Sequence, residues 1–235
     1  MVSVKNKITR PFMSYDSVFK SVFLNNENIL AKMISDITGF SYSLLENNII
    51  FEVNEVPIDR FNEKFKKCDF IVRFGEDNII NLELNLNSYP GLIIKNLSYL
   101  FHIYKTNSIK GKDYNENLEV IGININYFNE YNKCLSKYLI TELDSNDVYT
   151  ESLKIFSLSV VKSKKIYYNS LGDEVPNYIK WGAFLSCKID ETDKMTNILK
   201  ELLTVKEVEI IMDKINNLKN DSLFITGLER IKMEE

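Results

Sequence analysis

Two acidic residues, Asp69 in CDFIVRF and Glu83 in NIINLELN, each interrupt an otherwise apolar run. The turn GEDN, Gly75 to Asn78, lies between them, so the acids fall on adjacent strands of a hairpin. A buried carboxylate is costly unless it is paired, hydrogen-bonded or bound to a metal. Two carboxylates meeting on one sheet point to a divalent cation. Mg²⁺ is held through one or two carboxylates and keeps several waters. The backbone carbonyl of Leu84, between Glu83 and Asn85, is a further hard oxygen. Such a site polarises a phosphodiester and lowers the pKa of an attacking water. Asn85 shares the strand face of Glu83, where its amide is placed to orient that water or stabilise developing negative charge.

Blander chemistry fits the same residues. Asp69 at a strand edge is within sequence reach of Lys66 and Lys67, and Glu83 can form an ion pair with Lys95 without any metal. Asn85 and Asn87 alternate with Leu84 and Leu86. That alternation also describes the wet face of a half-exposed strand, and it would carry Glu83 with it. Other mechanisms find less support. Cys68, Cys134 and Cys187 are far apart with no CxxC pair, which argues against zinc and for reduced, buried thiols. The single histidine, His102, sits in the apolar helical pattern LSYLFHIY and reads as a packed or half-exposed structural residue.

The elements that must position the acids follow from hydrophobic periodicity. A helix is expected from about Ser14 to Leu24, with Tyr15, Val18, Phe19, Val22 and Phe23 on one face and Ser14 or Asp16 as its cap. A second runs from about Glu27 to Thr38 and stops at Gly39. Asn48 to Ile58 reads as a β-rich stretch, followed by the hairpin strands of Asp69 and Glu83. Leu92 to Asn107 reads as a helix with Ile93, Leu97, Leu100 and Tyr104 on one face and Ile94 and Phe101 beside them. The run LEVIGININYF is a buried strand, and LKIFSLSVV, Leu153 to Val161, is another. Three helical stretches close the chain: Asn177 to Cys187, Glu191 to Leu203 and Lys206 to Leu218.

The 235 residues, 45% hydrophobic and 12% aromatic, suit one well-packed domain and exclude disorder. The expected division is a core over about 14–126 and a C-terminal strand with helices over about 150–235, within one unit spanning 1–235. No apolar run approaches the roughly 18 residues that span a bilayer, and MVSVKNKITRPF lacks the apolar centre of a secretory signal. The expected compartment is the cytoplasm, with no membrane partner. A net charge of −4 does not advertise nucleic acid. Local basic runs in KNKITR, in EKFKK and at Lys162 to Lys165 still allow it, although such a run is more often a solvated face than a phosphate track.

The order helix, strand, strand, strand, helix, strand, with Asp on the second strand and Glu-x-amide on the third, resembles the PD-(D/E)XK nuclease superfamily. Within it the chain is similar to the recombination-promoting nuclease and transposase family. YDSVFKSVF, Tyr15 to Phe23, looks like that family's D-x-x-F-K-x-x-F opening. YPGLIIKNLSYLFHIY, Tyr89 to Tyr104, resembles its helix after the third strand, with Lys95 where an Arg is usual. IKGKDYNENLEVIGININ resembles its G-x-x-Y-x-x-L-x-x-V-I-x-I segment through Gly111, Tyr114 and Leu118, with one residue more between Tyr114 and Leu118. LKIFSLSVVK and WGAFL, Trp181 to Leu185, resemble its later strand and helix.

The resemblance implies an α/β fold with an αβββαβ restriction-endonuclease-like core, a central mixed sheet flanked by helices, and a helical C-terminal extension. It implies a hydrolase, a DNA endonuclease dependent on Mg²⁺ or Mn²⁺, and a homodimer is compatible with it. Carried over by position, Asp69, Glu83 and the Leu84 carbonyl hold metal, Asn85 stands where the family has Gln or the superfamily Lys, and Lys95 contacts phosphate. Asp16 and Glu27 are both candidates for an additional acid. Asn brings no charge and is shorter than Gln by about 1 Å or more, a displacement able to cost about 100-fold in rate. A catalytically impaired fold that binds protein or nucleic acid is therefore the competing expectation.

Overall fold

The computed structural model describes residue 13 and residues 15–46, 49–52, 55–56, 66–67, 69–111, 113–129, 132–170 and 173–221. Three helices come first: α1 (Asp16–Phe23), α2 (Glu27–Thr38) and the single turn α3 (Tyr42–Leu45). Strands β1 (Ile50–Glu52), β2 (Glu55–Val56), β3 (Lys66–Lys67), β4 (Phe70–Phe74) and β5 (Asn78–Asn85) follow. Helix α4 (Leu92–Asn107) and the short pair β6 (Ile109–Lys110) and β7 (Asp113–Tyr114) lead to β8 (Glu119–Asn126). A hairpin of β9 (Leu135–Thr141) and β10 (Val148–Ser159) comes next. Helices α5 (Val160–Asn169), α6 (Asn177–Leu185), α7 (Thr192–Lys200) and α8 (Val205–Asn220) end the described chain.

Among the described residues, six strands form one mixed sheet in the order β1-β4-β5-β8-β10-β9. The β1, β4 and β5 neighbours are antiparallel, β5-β8 and β8-β10 are parallel, and β9 closes the edge antiparallel to β10. A parallel neighbour needs a crossover, and α4 supplies it between β5 and β8. The fold is the α/β arrangement expected from the sequence, a central mixed sheet flanked by helices.

The two sheet faces differ in chemistry. One carries Phe70, Val72, Ile80, Leu82, Ile121, Ile123 and Leu158 into the main core, against Phe19 and Phe23 of α1 and Trp181 and Phe184 of α6. Phe19 meets Phe70 edge-on at 4.9 Å between ring centroids. The other face lies under α4, where Ile71, Ile79, Val120 and Leu153 pack on Leu100 and Ile103. Gly122 in the middle of β8 keeps Leu100 close: an added Cβ would already stand 3.5 Å from Leu100 Cδ1.

Helices α2 and α4 keep the bounds expected from periodicity, and Gly39 takes the left-handed conformation after α2 at φ 84°. Elsewhere the sequence expectations need correction. The N-cap of α1 is Tyr15, and Asp16 is already the first helical residue rather than its cap. The β-rich stretch 48–58 splits into β1 and β2, which belong to different sheets. The strand read at 153–161 begins earlier and ends at Ser159. Its Oγ accepts the Lys162 N–H and starts α5, so Val160 and Val161 are helical despite their β-branching. The buried face of α4 is Leu92, Leu100, His102 and Ile103, while Ile93, Ile94 and Phe101 are exposed. Pro57, Cys68, Ser14 and the basic runs KNKITR and EKFKK (apart from the strand Lys66–Lys67) lie outside the described residues.

Candidate metal centre

Strand alternation on β5 sends Ile80, Leu82 and Leu84 into the main core and Asn81, Glu83 and Asn85 to the face beneath α4. All three polar residues are buried, at 2%, 0% and 5% exposure. The reading of this face as a wet strand surface is therefore wrong, because α4 lies over it. Only Asn87, beyond the end of β5, is exposed.

Asp69 is half-buried and sits immediately before β4. Phe70 pairs with Leu82, which sets Asp69 opposite Glu83. The two acids interlock through backbone amides. The Asp69 N–H donates to Glu83 Oε1 at 3.4 Å, and the Leu84 N–H donates to Asp69 Oδ2 at 2.7 Å. The Asn85 carbonyl accepts the Tyr127 N–H at 2.8 Å on the β8 side. Successive carbonyls alternate along a strand, so that of Leu84 faces the β4 side, where Asp69 lies.

Helix α4 brings in the counter-charge. Lys95 Nζ lies 3.0 Å from Glu83 Oε2 and 5.3 Å from the centre of the Tyr99 ring. At that distance the Lys95 ammonium and the Glu83 carboxylate form an ion pair. Burial, and then the Asp69 carboxylate, push Glu83 up to about 7 against the pull of Lys95. Burial opposes the charge on Lys95, yet the Glu83 carboxylate outweighs it and holds the ammonium above its usual range. The two directions agree: the lysine gains from the pair, and the glutamate still has one negative neighbour too many. Two carboxylates and one ammonium meet beneath α4. Hard carboxylate oxygens brought together from adjacent strands, one of them on a fully buried glutamate, suit Mg²⁺ or Mn²⁺.

The other candidates are placed differently. Asp16 opens α1, and its side chain lies outside the described residues. Glu27 opens α2. Among the described residues no group of three His, Cys, Asp or Glu side chains stands together, so Glu27 does not join Asp69 and Glu83. His102 is buried in α4, as its apolar surroundings suggested.

Asn85 belongs to a ladder that the sequence reading missed. Its Nδ2 donates to Asn126 Oδ1 at 2.9 Å, and Asn126 Nδ2 donates to Ser157 Oγ at 2.8 Å. The ladder crosses β5, β8 and β10, with Asn126 and Ser157 buried. Its signal was present in the period-2 polar positions of GININ and SLS, set inside apolar strands.

No described helix is long and apolar enough to cross a membrane. No curated protein and no solved structure matches the chain. The sequence model of the PD-(D/E)XK nuclease family transposases matches residues 13–222, and the chain belongs to that family.

Proposed function

We propose that the protein is a metal-dependent DNA endonuclease in which Asp69, Glu83 and the Leu84 carbonyl hold one Mg²⁺ or Mn²⁺. The observation that carries this reading is the meeting of half-buried Asp69 and fully buried Glu83 on neighbouring strands, interlocked through the amides of Asp69 and Leu84. The bound cation supplies phosphate polarisation and a water of lowered pKa. Lys95 supplies the positive charge that Asn85 lacks. Fixed 3.0 Å from Glu83, it stands ready to contact the phosphate and offset negative charge as that charge develops. Asn85 commits its N–H to Asn126, which leaves its Oδ1 to orient the attacking water. Family membership supports DNA as the substrate.

The test is nicking of supercoiled plasmid by purified protein with Mg²⁺ or Mn²⁺. Cleavage is expected with the cation, none with EDTA, and none from the Asp69→Ala, Glu83→Ala double variant. Equal nicking by wild type and double variant overturns the reading.

One observation favours a second reading, an impaired nuclease fold kept as a binding module. Asn85 is tied into a structural ladder and brings no charge. That reading predicts an intact fold with neither cleavage nor any Mn²⁺-dependent rise in melting temperature. A Mn²⁺ shift abolished by Glu83→Ala counts against it.

A further inference from the structure

Among the described residues every helix except α4 contributes side chains to the main core on one face of the sheet. Helix α4 alone packs on the other face, against Ile71, Ile79, Val120 and Leu153. A helix about 10 Å across covers roughly two strands spaced about 4.8 Å apart, and this sheet has six. Parallel strands are normally covered on both faces. Beyond α4, the parallel strand β10 leaves Ile155 half-buried, and Tyr138, its pair on β9, is 38% exposed. Both line a cavity beside α4, together with Leu97 and Leu100 of the helix.

Helix α4 carries two apolar stripes. Leu92, Leu100 and Ile103 are buried on its inward side. Ile94, Leu97, Phe101 and Tyr104 follow one another at intervals of three, four and three residues, the a/d spacing of a helix–helix seam. On this second stripe Ile94 and Phe101 are 68% and 51% exposed, and Leu97 and Tyr104 are half-buried. The stripe is uncharged. Helix α4 has no acid, Lys95 turns to Glu83, and Lys105 lies in the last turn.

A nucleic acid on this stripe would call for cations that it does not offer. The spacing instead reads the same in both directions. Two α4 helices laid antiparallel set Ile94 against the partner's Tyr104 and Leu97 against the partner's Phe101, an aliphatic side chain facing an aromatic one at every step. With Ile93 and Tyr138 beside the stripe, this face exposes on the order of 500 Å² of apolar surface, a large patch for a monomer. Two such faces remove roughly 1,000 Å² from water when they meet, the size at which specific association begins. We propose that the occupant is a second copy of this chain, in a twofold homodimer whose seam is α4 against α4. Lys95 points to Glu83 rather than into the seam, so the pairing depends on neither metal nor cleavage.

Sedimentation velocity in EDTA across a concentration series tests the pairing. Wild type is expected to pass from monomer to dimer with a Kd on the order of 10 µM, the weak end for an interface of this size. Ile94→Glu with Phe101→Glu places two charges in the seam from each copy and should weaken the dimer about 100-fold or more. Both positions are exposed in the monomer, so the far-UV circular dichroism should not change. A wild type that stays monomeric at about 100 µM overturns the proposal, as does a dimer that the double substitution leaves intact. If the double variant fails to fold, a crosslink takes its place. Ser98 flanks the seam next to Leu97, and in the antiparallel pair it lies beside the partner's Ser98. Ser98→Cys with Cys68→Ser, treated with a short bis-maleimide, should give a dimer band that fades on dilution. Asn216→Cys in the same background, on α8 across the sheet, should give none. No band from Ser98→Cys, or an equal band from Asn216→Cys, overturns the seam. Neither readout involves plasmid nicking, so the dimer and the nuclease reading can each fail alone.

Discussion

Glu83→Gln is expected to stabilise the protein freed of divalent cations, and the gain should grow with pH. Glutamine keeps the shape of the side chain and an Oε1 acceptor for the Asp69 N–H, 3.4 Å away in the wild type. It removes the charge that burial and Asp69 disfavour. The folded-state pKa of Glu83 is pushed up to about 7 from 4.5, so the native state holds this proton more tightly than the unfolded chain does. Its contribution is therefore fully present below about pH 4.5 and is lost as pH rises through about 7. A shift of that size corresponds to ~3 kcal/mol. The Glu83 carboxylate holds the Lys95 ammonium above its usual range, so it stays charged throughout this window. Glu191 and Glu207, whose pKa values are lowered beside Lys194 and Lys32, gain stability with rising pH. They do so in both proteins and cancel in the comparison. Urea unfolding of wild type and Glu83→Gln in EDTA, near pH 5 and near pH 8, reads the difference. The variant should gain ~3 kcal/mol on wild type between the two conditions, and Mn²⁺ should then favour wild type. A difference that does not change with pH refutes the reasoning, because Glu83 would then ionise as an ordinary surface acid.

Other perturbations test other parts of the fold. A Cβ on Gly182 would stand 2.2 Å from Ser163 Oγ and 2.3 Å from its Cβ, where α6 crosses α5. Gly182→Ala should cost ~1–3 kcal/mol, and Gly182→Ala with Ser163→Gly should recover most of it. We propose that the chain unfolds as one unit, so a thermal melt should shift as a single transition in both variants; two separated transitions refute that. Lys95→Gln should lower plasmid nicking by about 10²–10³-fold with the fold intact, and a full rate removes Lys95 from the chemistry. Burial pushes the Cys187 thiol up to about 11 and raises Cys134 as well. In a Cys68→Ser background, Ellman's reagent should label neither at about pH 8 until urea is added, and prompt labelling of Cys187 contradicts its burial.

Much of this arrangement was legible in the sequence where one face of an element is apolar. Helix α2 and the strand GININ declare themselves through Ile29, Leu30, Met33, Ile34 and Ile37, and through Ile121, Ile123 and Ile125. Asp69 and Glu83 stood out because each breaks an apolar run. The orientation of α4 was not legible, and the reason is physical. Its strongest apolar cluster, Ile93, Ile94 and Phe101, is exposed, and its inward side carries Lys95 and Asn96, because the sheet beneath presents Asn81, Glu83 and Asn85. Leu92, Leu100 and Ile103 still face the sheet, but polar groups beneath the N-terminal half of the helix shift its buried stripe away from the one that periodicity alone picks out. Strand β9 was missed because its outer half is exposed at the sheet edge, so no burial pattern marked it. The start of α5 was hidden because Val160 and Val161 favour strand, while the deciding contact is one hydroxyl, Ser159 Oγ accepting the Lys162 N–H at 3.3 Å.

The ladder of Asn85, Asn126 and Ser157 has a consequence for how the sheet assembles. It crosses both parallel contacts, β5-β8 and β8-β10. Outside the ladder, and apart from Asn81, Glu83 and Asn124, those strands offer each other mainly isoleucine, valine and leucine, which carry little register information of their own. A slip of one residue would turn Ile125 towards the side chain of Asn85 and carry Asn126 to the opposite face. Both amides would then be dry and partnerless, and each such group costs ~1–3 kcal/mol. The correct alignment satisfies them together. Three polar residues that add little to net stability thus penalise misaligned sheets, and they act as a proofreading device during folding, before any substrate is met.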